Sequence, residues 1–245
     1  KTNGQTKVNQ LTRQDLVGHC IKSGAPLNRV TVDNILPFYQ TNSTTDILAG
    51  FFAKCVVLVE GQTESLALPI YLSKVGLDVE REGVAVIPVQ GKGNLAKWRR
   101  LFEAYGIPCY TVFDNDSTDD SNGSKRRDAL KSVGIHDDEE IDQIIHAQDW
   151  IVDSEFTVFG VDFETALRSS FRQYHELEEQ AGEEGIDSKP FKARWVAERL
   201  DFEPPENQTA KEKIEQMVQM IRSKLSGGEL LESMSIKEED EEVPF

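Results

Sequence analysis

The sharpest apolar pattern in the chain starts at residue 51. Phe51-Phe52-Ala53-Lys54-Cys55-Val56-Val57-Leu58-Val59 is a nearly continuous apolar and β-branched run that stops at Glu60-Gly61, which suits a strand buried on both faces. Thr63 to Val75 follows with helical spacing, Gly76 closes it, and Pro69 inside it predicts a kink or an early break. Val84 to Val89 reads as a second strand. Asn94 then stands where it can cap a helix bearing Leu95, Trp98, Leu101, Phe102 and Tyr105, which Gly106 stops. Cys109 to Phe113 makes a third strand and runs into Asp114-Asn115-Asp116. Strand, helix, strand, helix, strand with short joints predicts right-handed βαβ units and a parallel sheet.

The flanking segments are less regular. Before residue 51, Thr12 to Val17 opens a short helix and Val30 to Val32 a short strand, while Asn, Thr and Ser dominate 39–45; residues 1–50 read as a connector. Ser117 to Arg127 is polar and predicts a surface loop, and Ile141 to Ile145 a short helix. A further strand is either Ile151-Val152 or Phe156 to Phe159. Beyond it Thr165–Gln180, Lys189–Leu200 and Ala210–Leu225 carry apolar residues at three- and four-residue steps, separated by Gly182, Gly185, Pro204 and Pro205. The expected fold class is α/β: a Rossmann-like parallel sheet flanked by helices, with an added helical subdomain. Its expected division is a connector at 1–50, a sheet domain at 51–165 and a helical segment at 166–245.

Composition narrows the function classes. The chain has 245 residues, 27 basic and 43 acidic, for a net charge of −16. A surface that coats nucleic acid indiscriminately would be basic. Part of the acidic excess sits in the tail Glu238-Glu239-Asp240-Glu241-Glu242, read as disordered and solvated, and part fits metal ligands. No apolar run approaches the ~18 residues of a membrane span, and no signal-peptide pattern is visible. Cys20, Cys55 and Cys109 are scattered without metal-ligand spacing, the pattern of a reduced cytoplasmic chain. Its start at Lys1 rather than Met fits a fragment of a longer protein.

The candidate chemistry is acidic. Glu60 follows the first predicted strand, Asp114 and Asp116 the third, and Asp162 with Glu164 the last. In an open parallel sheet these strand ends share one edge, where ligands bind. Carboxylates gathered there repel one another unless a cation neutralises them, and oxygen ligands beside phosphate suit Mg²⁺. A lone acid after a strand is commonly a helix cap or turn former; acids at several strand ends of one edge are less easily explained that way. Asp153 and Glu155 form a competing pair to Asp162 and Glu164, which are preferred. The Asp114 loop is not an EF-hand, because Asp119 stands at its glycine position and Lys125 at its bidentate Glu position. Gly91-Lys92-Gly93 lacks P-loop spacing; Lys92 either touches DNA phosphate or sits in an exposed turn. His19, His136, His146 and His175 show no zinc spacing, there is no nucleophile elbow, and Trp98, Trp150 and Trp195 read as packing residues.

Val56-Val57-Leu58-Val59-Glu60-Gly61 followed by Asp114-Asn115-Asp116 resembles the TOPRIM signature of topoisomerases, bacterial primases, recombination mediators and certain nucleases. Leu58-Val59-Glu60-Gly61-Gln62-Thr63-Glu64, with Gln90-Gly91-Lys92-Gly93-Asn94 between the acids, resembles the OLD (overcoming lysogenization defect) nucleases in particular, well over 51–165 and loosely beyond. That resemblance implies a Mg²⁺-dependent DNA endonuclease or nickase joined to an upstream ABC-type ATPase domain. It further implies a two-metal site, with Mn²⁺ as a substitute ion: Glu60, Asp114 and Asp116 for one ion, Glu64, Asp162 and Glu164 holding or positioning the second. A lysine of the helical part, Lys189 or Lys192, would stabilise the transition state. The helical segment is a candidate homodimer surface. The alternatives are a topoisomerase- or primase-type TOPRIM module, and a non-catalytic TOPRIM scaffold that binds a protein partner.

Overall fold

The computed structural model describes residues 10–28, 30–118 and 120–238, with 227–238 described by backbone alone. In chain order, α1 (Arg13–Lys22), α2 (Ile35–Asn42) and α3 (Thr45–Gly50) lead into β1 (Cys55–Val59) and α4 (Gln62–Lys74). Next come α5 (Val79–Glu82), β2 (Val84–Pro88), a 3-10 turn (Lys92–Asn94), α6 (Leu95–Ala104) and β3 (Cys109–Asp114). After α7 (Ser124–Ser132) and α8 (Asp138–Ile145), β4 (Ile151–Val152) and β5 (Phe156–Phe159) complete the sheet. The helices α9 (Phe163–Ser170), α10 (Tyr174–Glu183), α11 (Lys189–Arg199) and α12 (Gln208–Glu238) follow.

The sheet order is β2-β1-β3-β5-β4. The pairings β2–β1, β1–β3 and β3–β5 are parallel, and only β4 runs antiparallel, against β5. The α/β class and parallel-dominated sheet therefore agree with the sequence pattern. Every residue of β1 and β3 is buried, because helices cover both faces of the sheet. Alternation within the strands divides the core. Val57, Val59, Tyr110, Val112 and Phe159 face α4, α9, α11 and α12 through Leu68, Tyr71, Phe163, Val196 and Met217. Val56, Leu58, Phe113, Phe156 and Val158 face α1, α2, α6, α7 and α8 through Leu16, Tyr39, Trp98, Phe102, Leu130 and Ile141. Burying a side chain of this size contributes roughly 1.5–3 kcal/mol, so both helical layers clamp the strands that carry the acids.

Several local expectations need correction. The first strand begins at Cys55, not Phe51. Phe51 instead packs edge-on to Tyr105 and against Phe102, and Phe52 is exposed. Val30 to Val32 is irregular, whereas the polar stretch around 39–45 contributes to α2 and α3, whose Ile35, Tyr39 and Ile47 are buried. Helix α1 begins at the predicted place, held by a capping box in which the Thr12 hydroxyl accepts from Asp15 N–H and the Asp15 carboxylate accepts from Thr12 N–H. Pro69 does not end α4. Asn94 makes no side-chain cap; its amide donates to the Val89 and Gln90 carbonyls, bracing the turn before α6. Ser117 to Arg127 is not loop throughout, since α7 starts at Ser124 and buries Arg126. Both proposals for the last strand are strands, paired as a hairpin. The expected acidic tail lies outside the described residues beyond Glu238, whose backbone ends α12. Among the described residues no helix is long and apolar enough to cross a membrane.

Candidate metal centre and active site

Glu60 is the residue after β1, and Asp114 closes β3. The register pairs Leu58 with Thr111, so the two strand ends lie side by side, and Glu60 Oε1 accepts the Asp114 backbone N–H at 2.8 Å. Strand alternation separates the next three side chains. Asn115 N–H donates to the Phe159 carbonyl and the Asn115 amide to Ile144 O at 2.7 Å, binding β3 to β5 and α8. Asp116 turns back toward the site, where its Oδ2 lies 3.1 Å from Lys92 Nζ. Buried Arg126 fixes this loop through Asn115 O at 2.7 Å and the Asp120 carboxylate at 3.1 Å.

Burial and like charge set the electrostatics of this edge. Burial pushes the Glu60 carboxyl up to about 7; Lys92 and the Asp114 N–H pull it down, and Glu64 and Asp116 push it further up. Asp114 is raised well above the ordinary range by burial, then by repulsion from Glu60 and Glu64, against an opposing pull from Lys92. Its Oδ1 is buried with no hydrogen-bond partner among the described residues. A buried carboxylate oxygen left without a donor is costly and calls for an explanation. Asp116 behaves differently. Burial pushes it up, but the Thr118 N–H and the Lys92 ammonium outweigh that and hold it below its usual value.

Glu64 sits in the first turn of α4, one turn after Glu60. Its Oε2 accepts the Gly61 N–H at 2.9 Å, which folds the carboxylate back over the strand end. Beyond β5, Asp162 caps α9: its two oxygens accept the Thr165 N–H and hydroxyl, each at 2.8 Å. Burial opposes these bonds, yet Asp162 is held below its ordinary value. Its side chain thus does the work of a helix cap, which the strand-end position alone does not distinguish from ligation. Glu164 is buried and raised, chiefly by burial, and Lys189 Nζ lies 2.9 Å from its Oε1. The cap on α9 and the first turn of α11 bring these two together. Glu164 also acts by repulsion on Asp114, and Glu64 on Glu164, so the acids form one electrostatic neighbourhood.

Two concavities flank the acids. One, of about 370 Å³, is lined by Asp162, Glu164, Arg168, Tyr174, Lys189 and Lys192. The other, of about 330 Å³, is lined by Glu60, Gln90, Lys92, Lys97, Asp116 and Lys125. The competing pair is elsewhere: Asp153 and Glu155 precede β5, and Glu155 Oε2 pairs with Arg99 at 2.5 Å at the opposite edge of the sheet. Lys92 was expected in an exposed turn or on DNA. It is buried, with Nζ 3.0 Å from the Asp116 carbonyl and 3.5 Å from Glu60 Oε1. Its Gly-flanked position gave no sign of that, because the contact depends on how the 3-10 turn folds over β1. Arg126 was likewise missed, having been read as part of a loop.

The donor set fits a hard divalent cation. It consists of carboxylate oxygens, with a partnerless buried oxygen on Asp114 and carboxyls at Glu60, Asp114 and Glu164 raised by burial. Among the described residues no group of three or more His, Cys, Asp or Glu side chains is already gathered into a cage; the Lys92 ammonium lies between Glu60 and Asp116.

Comparison with known proteins agrees with this geometry. Residues 51–116 match the model of the overcoming lysogenization defect protein-like TOPRIM domain, a span that contains Glu60, Glu64, Lys92, Asp114 and Asp116. The C-terminal region of the Xanthomonas campestris pv. campestris OLD protein superposes with a TM-score of 0.54 at 15% identity, covering 75% of this chain and 99% of that one. The C-terminal region of the Burkholderia pseudomallei OLD protein does so with a TM-score of 0.51 at 16% identity, covering 71% and 99%. At such identities the likeness shows a shared fold. No curated protein sequence matches the chain. Residues 51–116 thus match an OLD-like TOPRIM domain, in a chain that shares the fold of OLD C-terminal regions.

Proposed function

We propose that this chain is a Mg²⁺-dependent DNA endonuclease or nickase, the catalytic region of a larger cytoplasmic ATPase–nuclease. An OLD-like TOPRIM domain implies a nuclease-type catalytic region, and TOPRIM domains generally bind divalent metals. The observation that carries the finer reading is the junction of β1 and β3, where Glu60 contacts Asp114 and a buried Asp114 oxygen has no donor among the described residues.

In this reading Glu60, Asp114 and Asp116 hold one Mg²⁺, and Glu64 with Glu164 the second, while Asp162 positions Glu164 by capping α9. Bound there, a pair of such ions supplies an activated water and charge stabilisation for the leaving oxygen; Mn²⁺ would serve in their place. The chain's own residues prepare that chemistry. The Gly61 N–H orients Glu64, the Asp114 N–H orients Glu60, and Arg126 fixes the Asp116 loop. Lys189, beside Glu164, is the cation best placed to offset charge on a scissile phosphate, and Lys192 lines the same concavity. Residues 51–165 form the catalytic unit of this proposal, 1–50 its connection to an upstream ABC-type ATPase domain, and 166–245 the helical segment that completes the site and offers a homodimer surface.

The test is plasmid nicking in Mg²⁺. Glu60→Gln and Asp114→Asn should each abolish it while preserving the circular dichroism of the fold; cutting by either variant at the wild-type rate would refute the assignment.

A further inference from the structure

The buried ammonium of Lys92 is the part of this site that a nuclease role leaves unexplained. Its side chain is 6% exposed. Nζ donates to the Asp116 carbonyl at 3.0 Å and to Asp116 Oδ2 at 3.1 Å, and it lies 3.5 Å from Glu60 Oε1. Burying a lysine costs desolvation and side-chain entropy, so a stem held this deep needs a partner charge. Here the ammonium joins carboxylates from the ends of two different strands.

The turn that delivers it is built for the purpose. Gln90 adopts a positive φ of 60° and Gly91 one of 110°, a conformation unfavourable for the side-chain-bearing Gln90. The Gly91 N–H donates to the Glu60 carbonyl at 2.8 Å, so the turn is anchored to the residue whose carboxylate Lys92 approaches. Asn94 locks its far end through the Val89 and Gln90 carbonyls. Lysine is a compact point charge on a flexible stem, without the planar fork of arginine. Such a group holds carboxylates in place and gives them up again. The adjoining concavity, lined by Lys97 and Lys125 as well as Lys92, gives the stem somewhere to go.

We propose that Lys92 is a tethered counter-ion: it holds the Glu60 and Asp116 carboxylates together in the metal-free protein and competes with a divalent cation for those oxygens. Lys92 is thus a positioning residue that trades cation affinity for a pre-assembled acid pair. This inference rests on the metal-site reading above.

The test is calorimetric titration of Mn²⁺ alone into the full chain as wild type, Lys92→Met and Lys92→Arg. Lys92→Met keeps an apolar stem and removes the competitor, so it should bind Mn²⁺ about tenfold more tightly than wild type; Lys92→Arg, still charged, should stay near wild type. A second measurement uses wild type only: lysine acetylation read by mass spectrometry. Lys92 should be shielded without metal and become reactive at saturating Mn²⁺. Equal or weaker binding by Lys92→Met while wild type binds would overturn the inference and leave the metal site standing. If Lys92→Met does not fold, acetylation decides, and a Lys92 still shielded at saturating Mn²⁺ overturns it. Wild type that binds no Mn²⁺ removes the metal site and the inference together.

Discussion

The two edges of the sheet handle buried charge in opposite ways. At the edge where the parallel strands begin, buried Arg99 meets its partners: Nη1 lies 3.1 Å from the Thr111 hydroxyl and 3.3 Å from the Cys109 and Glu155 carbonyls. Its Nη2 pairs with Glu155 at 2.5 Å and Glu103 at 2.8 Å. Lys224 of α12 adds a second cation on Glu155. At the edge where those strands end, the acids outnumber Lys92 and Lys189, and Asp114 keeps a buried oxygen with no donor among the described residues. One edge is an ion network that ties α6 and α12 to the sheet and leaves only Arg99 Nε without an acceptor among the described residues. The other is electrostatically unfinished, as a site awaiting a cation should be.

The comparison breaks most directly under substitution. Asp114→Ala and Glu60→Ala should lower Mg²⁺-dependent nicking by about 100-fold or more, the scale of losing an essential electrostatic contact; plasmid assays check it. At the opposite edge Arg99→Met should leave Glu155 and Glu103 without their central cation and cost roughly 3–5 kcal/mol of stability, measured by urea unfolding. Lys189→Ala should reduce cutting about tenfold or more through loss of transition-state charge stabilisation with little change in melting temperature, because its ammonium is largely exposed while Glu164 is not. The smallest expected effect has the opposite sign: Asp114→Asn should stabilise the metal-free protein by about 1 kcal/mol, since it replaces a raised, partnerless carboxyl. A destabilised Asp114→Asn would place the two edges in the same class.

The pH dependence follows from the same contrast. Glu60 is raised from 4.5 to about 7, so between those pH values the folded metal-free protein holds a proton there that the unfolded chain has lost. That contribution to stability is full below about 4.5 and is lost as the pH rises through about 7. The melting temperature of the metal-free protein should therefore fall between pH 5 and pH 8, more steeply than that of Glu60→Gln; parallel profiles would contradict the assignment.

How much of this was legible before folding depends on the range of each signal. The strands around Val57 and Val112 announce themselves, because burial on both faces demands unbroken apolar runs. Glu60, Asp114 and Asp116 were legible because topology places parallel strand ends at one edge, whereas Glu64 came only from the resemblance of its motif to the OLD nucleases. Asp162 looked the same in sequence yet serves as a cap, since only the Thr165 contacts distinguish the two roles. Lys92, Arg126 and Arg99 were missed for one reason. A buried cation is recognised by its partners, and those partners are distant in sequence, as Arg99 and Glu155 are. Of the helices before β1, α1 was legible from Thr12 to Val17, whereas α2 and α3 were obscured by polar composition, which tertiary packing of Tyr39 and Ile47 overrides.

The central claim is that the ends of β1 and β3 together bind a divalent cation. The most direct measurement is anomalous scattering from a crystal of this chain soaked in Mn²⁺. The account predicts a peak within about 2.0–2.3 Å of carboxylate oxygens of both Glu60 and Asp114, typical of bonds from a small divalent ion to oxygen. A fully soaked crystal with no peak there, or with one that contacts neither residue, would contradict it.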